Sequence, residues 1–377
     1  MRATQQLHDA GQSLWLDNIT RALITSGGLK RYIDEFSVTG LTSNPTIFDH
    51  AIKNSNDYDA AIREKTAAGK TGEALFLELA LEDVSAAADL FRSAHEATNR
   101  VDGWASLEVS PRLAYDTAST VATAKELHAR AGRPNIFIKI PGNEDGVPAI
   151  EEAIFAGVPI NVTLLFSREQ YLASAHAYIR GIERRVAAGL NAYVPSVASL
   201  FVSRWDVKVA GKVPAAAHNQ LGIAMAKRTY KAYRDLLASD RWLRLLNLGA
   251  RSQRLLWAST GTKDPKASDV LYVKSLAAPH TVNTMPDKTL LALADHGDIG
   301  AMLAHDGGDA EEVLDRFTQA GIDLDALAAD LQRKGAAAFV KSWDELLACI
   351  AEKSDTLRSG RPIRRAVRSG SPPPRAS

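Results

Sequence analysis

The sequence predicts a (β/α)8 TIM barrel with additional C-terminal helices, an α/β fold in one large domain. Three observations predict it. About eight strand-length runs rich in apolar and β-branched residues recur between positions 13 and 286. Between several of them lie stretches in which Ala, Leu and charged residues repeat at three- and four-residue spacing, the pattern of a helix with one buried face. The runs are nearly continuously apolar, as in a parallel sheet covered by helices, and about eight repeats favour closure into a barrel over an open doubly wound sheet.

In chain order the strand runs are SLWLDNI (13–19), FSVTGLTSN (36–44), WASLEVS (104–110), NIFIKIP (135–141), PINVTLLFS (159–167), NAYVPSVASLF (191–201), RLLWAST (254–260) and HTVNTMP (280–286). The clearest helical patterns cover 71–99, 116–130, 168–190 and 219–239. After Pro286 the pattern becomes wholly helical, over 287–297, 309–321 and 324–353, and these helices are expected on the flank of the barrel. The domain is expected to span residues 1–357. Residues 358–377 combine Pro, Gly, Ser and Arg with too few apolar side chains to offset ordering entropy, and are read as a disordered basic tail. No internal repeat is visible.

The chain has 377 residues, 46% apolar and 24% charged, and no apolar run approaches the ~18 residues of a membrane span. Its net charge is +1, but the six Arg of the tail meet no acid, so residues 1–357 carry 39 basic against 44 acidic side chains, a balance of −5. A mildly acidic body argues against a nucleic-acid groove. The N-terminal stretch has no apolar core of a secretory signal, and the single cysteine, Cys349, can form no internal disulfide; both point to the cytoplasm. Cys349 lies in a helix-like stretch and is read as core packing.

In such a barrel the chemistry gathers at the C-terminal ends of the strands, so polar residues inside apolar strands are informative. Asp17, Asn44, Glu108, Lys139, Asn161, Thr163 and Ser199 are such residues. Lys139 is the sharpest, because Phe137, Ile138, Ile140 and Pro141 surround it in sequence. A buried ammonium must find a counter-charge, here Glu108 or Asp17, or sit where desolvation favours the neutral, nucleophilic amine. Asp17 and Glu108 allow a division of labour, one carboxylate handling a substrate hydroxyl proton and the other, through water, the proton traffic of carbinolamine dehydration; both are also candidate counter-ions. The set suits polyhydroxylated carbonyl substrates.

For phosphate the candidates are Arg204, just after the sixth run, and Ser259 to Lys263 after the seventh, a region where barrels often build phosphate sites. The triplet Gly69, Lys70, Thr71 fails as a phosphate loop because Glu64 occupies the position of the first glycine. No HExxH, paired CxxC or His cluster occurs, so no metal is expected. His280 is read as a loop residue.

Together these segments resemble the transaldolases, specifically their longer bacterial subgroup. GLTSNPTIFDHAI, SLEVSPRLAYDT, IFIKIPG, GVPINVTLLFS, SVASLFVSR, LWASTGTKDP and APHTVNTMP are similar to family segments in the expected order, over about residues 13–290. The resemblance implies that Lys139 is the Schiff-base lysine, that Asp17 is the acid/base at the sugar C4 hydroxyl, and that Glu108 with Thr163 positions the catalytic water. It assigns Asn44, Asn161 and Ser199 to the dihydroxyacetone hydroxyls. Arg204 and Ser259 take the phosphate, with Lys263 standing in for an arginine that other subgroups carry nearby.

The implied reaction moves a dihydroxyacetone unit from sedoheptulose 7-phosphate or fructose 6-phosphate to an aldose phosphate, in the non-oxidative pentose phosphate pathway, with no metal or diffusible cofactor. Sugar phosphates are the expected partners, with no nucleic acid and no membrane, and the chain is expected as a monomer or homodimer. The rival within the fold is a fructose 6-phosphate aldolase. Phe201 bears on it, since the aldolase relatives typically carry Tyr there, whose hydroxyl can reach the catalytic water, and they are much shorter chains. Ser110 stands where the family commonly has Asp, which leaves a sugar-phosphate-binding pseudoenzyme, or a module whose Arg-rich end docks on a partner, as a further alternative.

Overall fold

Eight parallel strands close on themselves in the computed structural model, which describes residues 1–359. They are β1 (Ser13–Leu16), β2 (Val38–Thr42), β3 (Trp104–Glu108), β4 (Ile136–Pro141), β5 (Ile160–Leu165), β6 (Ser196–Phe201), β7 (Gln253–Ala258) and β8 (Val282–Met285). Neighbours in sequence are neighbours in the sheet, and β8 pairs with β1 to close the barrel. The expected fold class is observed.

The runs read as continuous because two different apolar environments meet along each strand. In β3, Ala105 and Leu107 belong to the large cluster shared with the surrounding helices. Trp104 instead joins Trp15 and Phe137 inside the barrel, where Trp104 and Phe137 stack with centroids 4.1 Å apart. Successive side chains point to opposite faces of a strand, so Ser106 and then Glu108 follow Trp104 along the lumen. An aromatic floor, a hydroxyl and amide layer, and a charged layer are therefore stacked in that order toward the C-terminal mouth. Ser199 donates to Asn161 at 2.7 Å and Asn161 to Ser106 at 3.1 Å, which satisfies the middle layer.

Some boundaries differ from expectation. Asp17 and Asn44 fall just beyond β1 and β2, because both strands stop as the backbone leaves the sheet to start the loops of the mouth. The pattern over 71–99 breaks at Phe91 into helices Gly72–Leu90 and Arg92–Ala97. Short helices at Pro45–Asn54, Gly146–Phe155 and Asp240–Asn247 were too brief to announce themselves by periodicity.

The main correction concerns the last helix, Leu324–Ser359, which runs for 36 residues. Its C-terminal half packs on the flanking helices Asp59–Ala67 and Gly72–Leu90, where Trp343 meets Phe76 edge to face and Lys353 pairs with Asp59 at 2.8 Å, but its N-terminal half does not lie on the flank. It packs along helix Pro45–Asn54 and crosses the C-terminal mouth, where the Gln332 side-chain amide donates to the carbonyls of Gly142 at 3.1 Å and Leu164 at 3.0 Å. Leu164 sits at a shift of register between β5 and β6 with φ of 60°, and its carbonyl is free to take this bond. Periodicity shows which face of a helix is buried and not what it is buried against. Arg358 and Ser359 are helical, whereas the rest of the expected tail, 360–377, lies outside the described residues. No helix among the described residues is long and apolar enough to cross a membrane.

The turn after β4 leaves no room for a side chain at Gly146, whose Cβ would lie 1.8 Å from the Pro141 carbonyl oxygen and 2.7 Å from Asn143 Oδ1. Backbone cannot yield as a side chain can, so Gly146→Ala is expected to cost ~3 kcal/mol or more, read as a lower urea midpoint at unchanged slope.

Candidate active site

The C-terminal mouth holds a cavity of about 1190 Å³. Lys139 enters its wall from β4 and is 6% exposed. The register that sets Glu108 of β3 opposite Lys139 brings Glu108 Oε2 to 3.1 Å from Nζ, and Nζ also donates to the Ser43 carbonyl at 3.2 Å. The counter-charge foreseen for Lys139 is thus Glu108. Glu108 lies behind the amine and away from the cavity surface. Burial pushes its carboxyl up from the ordinary range, against the pull of the Lys139 ammonium.

Asp17 faces the same cavity from the end of β1. Thr42 donates to Asp17 Oδ1 at 3.1 Å, and the Asn44 amide approaches the same oxygen at 3.5 Å. Asn44 is held for this by its other end, because Oδ1 accepts from the Ile47 amide at 3.1 Å and caps helix Pro45–Asn54. Burial raises the Asp17 carboxyl, and the Lys139 ammonium and the bonds from Thr42 and Asn44 oppose that rise. Thr163 also lines the cavity, with a buried Oγ1 that has no protein partner among the described residues.

Ser199, Phe201, Arg204, Ser259 and Lys263 complete the wall. The Arg204 guanidinium lies 4.9 Å from the Phe201 ring centroid, has no carboxylate within 4 Å among the described residues, and loses some of its hold on its proton through burial. A desolvated, unpaired guanidinium is a strong anion receptor. Ser259 is tied to Ser203 by a hydroxyl–hydroxyl bond of 2.9 Å.

The structure brings the residues assigned to the site from sequence to one end of the barrel, but Asn161, like Glu108, does not reach the cavity surface. Asn161 is fully buried behind Ser199, with its amide engaged by Ser106 and Ser199. Ser110 does not touch Glu108. It donates to Glu73 at 3.4 Å, and Glu73 also accepts from the Trp343 indole at 3.3 Å, so the neighbouring helix supplies a carboxylate at this point.

Sequence reasoning missed the contribution of the last helix. Phe339 places its ring centroid 5.3 Å from Lys139 Nζ and 6.0 Å from the Arg204 guanidinium. Gly335 allows this approach, since a Cβ there would come within 2.9 Å of Leu164 and 3.5 Å of Arg204. Lys334 also lines the cavity and is held by Asp330 at 2.7 Å. Thr42 was visible in its run and overlooked. Cys349 is half-buried against the core, and burial pushes its thiol up to about 11. Among the described residues no three His, Cys, Asp or Glu side chains converge to hold a metal ion.

The sequence profile of the family described as Transaldolase/Fructose-6-phosphate aldolase matches residues 14–350. The chain belongs to this family. Its transaldolase relatives include the protein named Transaldolase from Saccharopolyspora erythraea, 45% identical over 93% of this chain and 97% of that one. The Transaldolase of Mycolicibacterium smegmatis is 43% identical over 90% and 94% of the two chains, and Transaldolase 2 of Nostoc sp. is 38% identical over 92% and 96%. The resemblance to transaldolases read from the segments is borne out over nearly the whole chain, and with it an enzyme of the transferase type.

The surroundings of Asp17 give a direct expectation. Its carboxyl carbon, followed by NMR, titrates above the ordinary carboxylate value of ~3.9, and Thr42→Val moves the titration further up by removing a bond that favours the ionised form. A titration at or below the ordinary value would contradict this account of the site.

Proposed function

We propose that the protein is a transaldolase, moving a dihydroxyacetone unit from sedoheptulose 7-phosphate or fructose 6-phosphate to an aldose phosphate, as in the non-oxidative pentose phosphate pathway. The observation that carries this reading is the Lys139 amine in the cavity wall, 3.1 Å from a carboxylate that can take its proton. Glu108 accepts that proton, and the neutral amine adds to the C2 carbonyl of the ketose. The carbinolamine loses water to give the protonated imine, with Glu108 and the Thr163 hydroxyl positioning that water. Asp17 removes the proton from the C4 hydroxyl as the C3–C4 bond breaks, and the electron pair of that bond moves into the imine to leave an enamine. The aldose departs, a second aldose phosphate accepts the enamine carbon, Asp17 returns the proton to the new alkoxide, and water releases the product.

In this reading Asn44 and Ser199 hold the hydroxyls of the three-carbon unit, and Asn161 fixes Ser199 from behind. Arg204, Ser259 and Lys263 hold the phosphate. Phe201 has no hydroxyl to offer a water at the intermediate, which favours transfer over the release of free dihydroxyacetone by an aldolase. The chain contains the full residue set required for covalent chemistry, which favours an enzyme over a sugar-phosphate-binding protein. A monomer or homodimer in the cytoplasm completes the proposal.

Borohydride reduction of the protein with fructose 6-phosphate, followed by peptide mass spectrometry, is expected to mark Lys139 and to mark nothing in Lys139→Ala. Trapping at another lysine would overturn the assignment. Asp17→Asn should still be trapped while turnover falls by ~10²–10⁴-fold, the usual contribution of a general base. Fructose 6-phosphate supplied with and without erythrose 4-phosphate separates the two family activities: consumption that requires the acceptor is expected, and equal release of dihydroxyacetone in both would identify an aldolase.

A further inference from the structure

The opposite, N-terminal mouth of the barrel carries a second cavity, of about 610 Å³, that the proposed reaction does not use. Its inner wall is the aromatic floor, Trp104 and Phe137, so the floor separates it from Lys139. Arg100, Arg234, Arg251 and Arg254 line it, and among the described residues none of them has a carboxylate within 4 Å, although most of the other described arginines do. The one carboxylate in the wall, Asp102, is buried and committed to the Trp15 indole at 2.9 Å and the Thr39 hydroxyl at 2.7 Å. Outside the rim, Asp9 reaches His8 at 3.5 Å.

The four guanidinium groups are not equivalent. Arg254 is anchored, donating to the Ser13 hydroxyl at 2.5 Å and to the carbonyls of Thr281 at 2.8 Å and Val101 at 3.2 Å. Arg100 and Arg251 are exposed, and their guanidinium carbons each lie 5.9 Å from the centroid of the Tyr193 ring. Tyr193 is fixed by its hydroxyl, which donates to the Arg100 carbonyl at 3.2 Å. The excess positive charge reaches neighbouring groups: after burial, Arg234 and Arg254 are the main causes that hold the His280 imidazole below its ordinary value.

Guanidinium groups without counter-ions, beside a fixed aromatic face and the apolar wall of Trp242, form a receptor for an anion attached to a planar group. The cavity volume falls in the range of ~300–1,000 Å³ usual for small-molecule sites. We propose that the N-terminal mouth binds a nucleoside di- or triphosphate, with its phosphates on the arginines and its base against Tyr193 and Trp242. This site is independent of the chemistry at Lys139.

Isothermal titration calorimetry of the full chain with ADP, inorganic pyrophosphate and adenosine tests the proposal. ADP should bind saturably at one site, pyrophosphate at least ~10-fold more weakly and adenosine not measurably. Replacing Arg100 and Arg251 together by Ala should weaken ADP at least ~10-fold while leaving transfer from fructose 6-phosphate to erythrose 4-phosphate unchanged. Arg204→Ala, which disables the phosphate receptor of the other mouth, should keep wild-type ADP affinity. The proposal is overturned if ADP shows no saturable binding, if its binding is lost in Arg204→Ala and kept in the Arg100, Arg251 double variant, or if pyrophosphate binds as tightly as ADP.

Discussion

The ion pair of Lys139 and Glu108 is the constraint around which the site is arranged. Two charges in a closed barrel cost several kcal/mol each to desolvate, and their attraction offsets this only when the geometry is good and further hydrogen bonds are made. The strands meet both conditions. Register places the two residues side by side on β3 and β4, and the Ser43 carbonyl takes a second bond from the ammonium. Removing one partner would strand the other charge, so the pair has to be kept whole. The same arrangement leaves an amine next to a carboxylate that can accept its proton, so the structural requirement and the proposed chemistry call for the same pair.

The layers below the pair follow from the same need. Polar groups in the lumen must be satisfied where water is excluded, and the Ser106, Asn161 and Ser199 chain does this with bonds of 2.7 and 3.1 Å. Beneath it Trp15, Trp104 and Phe137 fill the space that small side chains would leave empty. Asn161 is therefore best understood as a support for Ser199, which does face the cavity.

Much of this was legible in the sequence because a charge or amide in an apolar strand has few explanations. Lys139, Glu108, Thr163 and Ser199 stood out for that reason, and the strand order then placed them at one end. Three things were not legible. The side of a wall on which Asn161 presents its amide depends on neighbours from two other strands. The ends of β1 and β2 are set by where the loops leave the sheet, not by any change in apolarity. The role of Phe339 and Gln332 was hidden because a long amphipathic helix has the same pattern whether it covers a flank or a mouth.

The placement of helix Leu324–Ser359 bears on how the molecule is made. All eight strands precede it in the chain, and Gln332 reaches back to Gly142 and Leu164 only after the barrel has been laid down. On the ribosome, where N-terminal parts emerge first, the barrel can therefore gather its strands before the element that caps it exists. The cover over Lys139 is thus supplied by the last segment to be translated among those described.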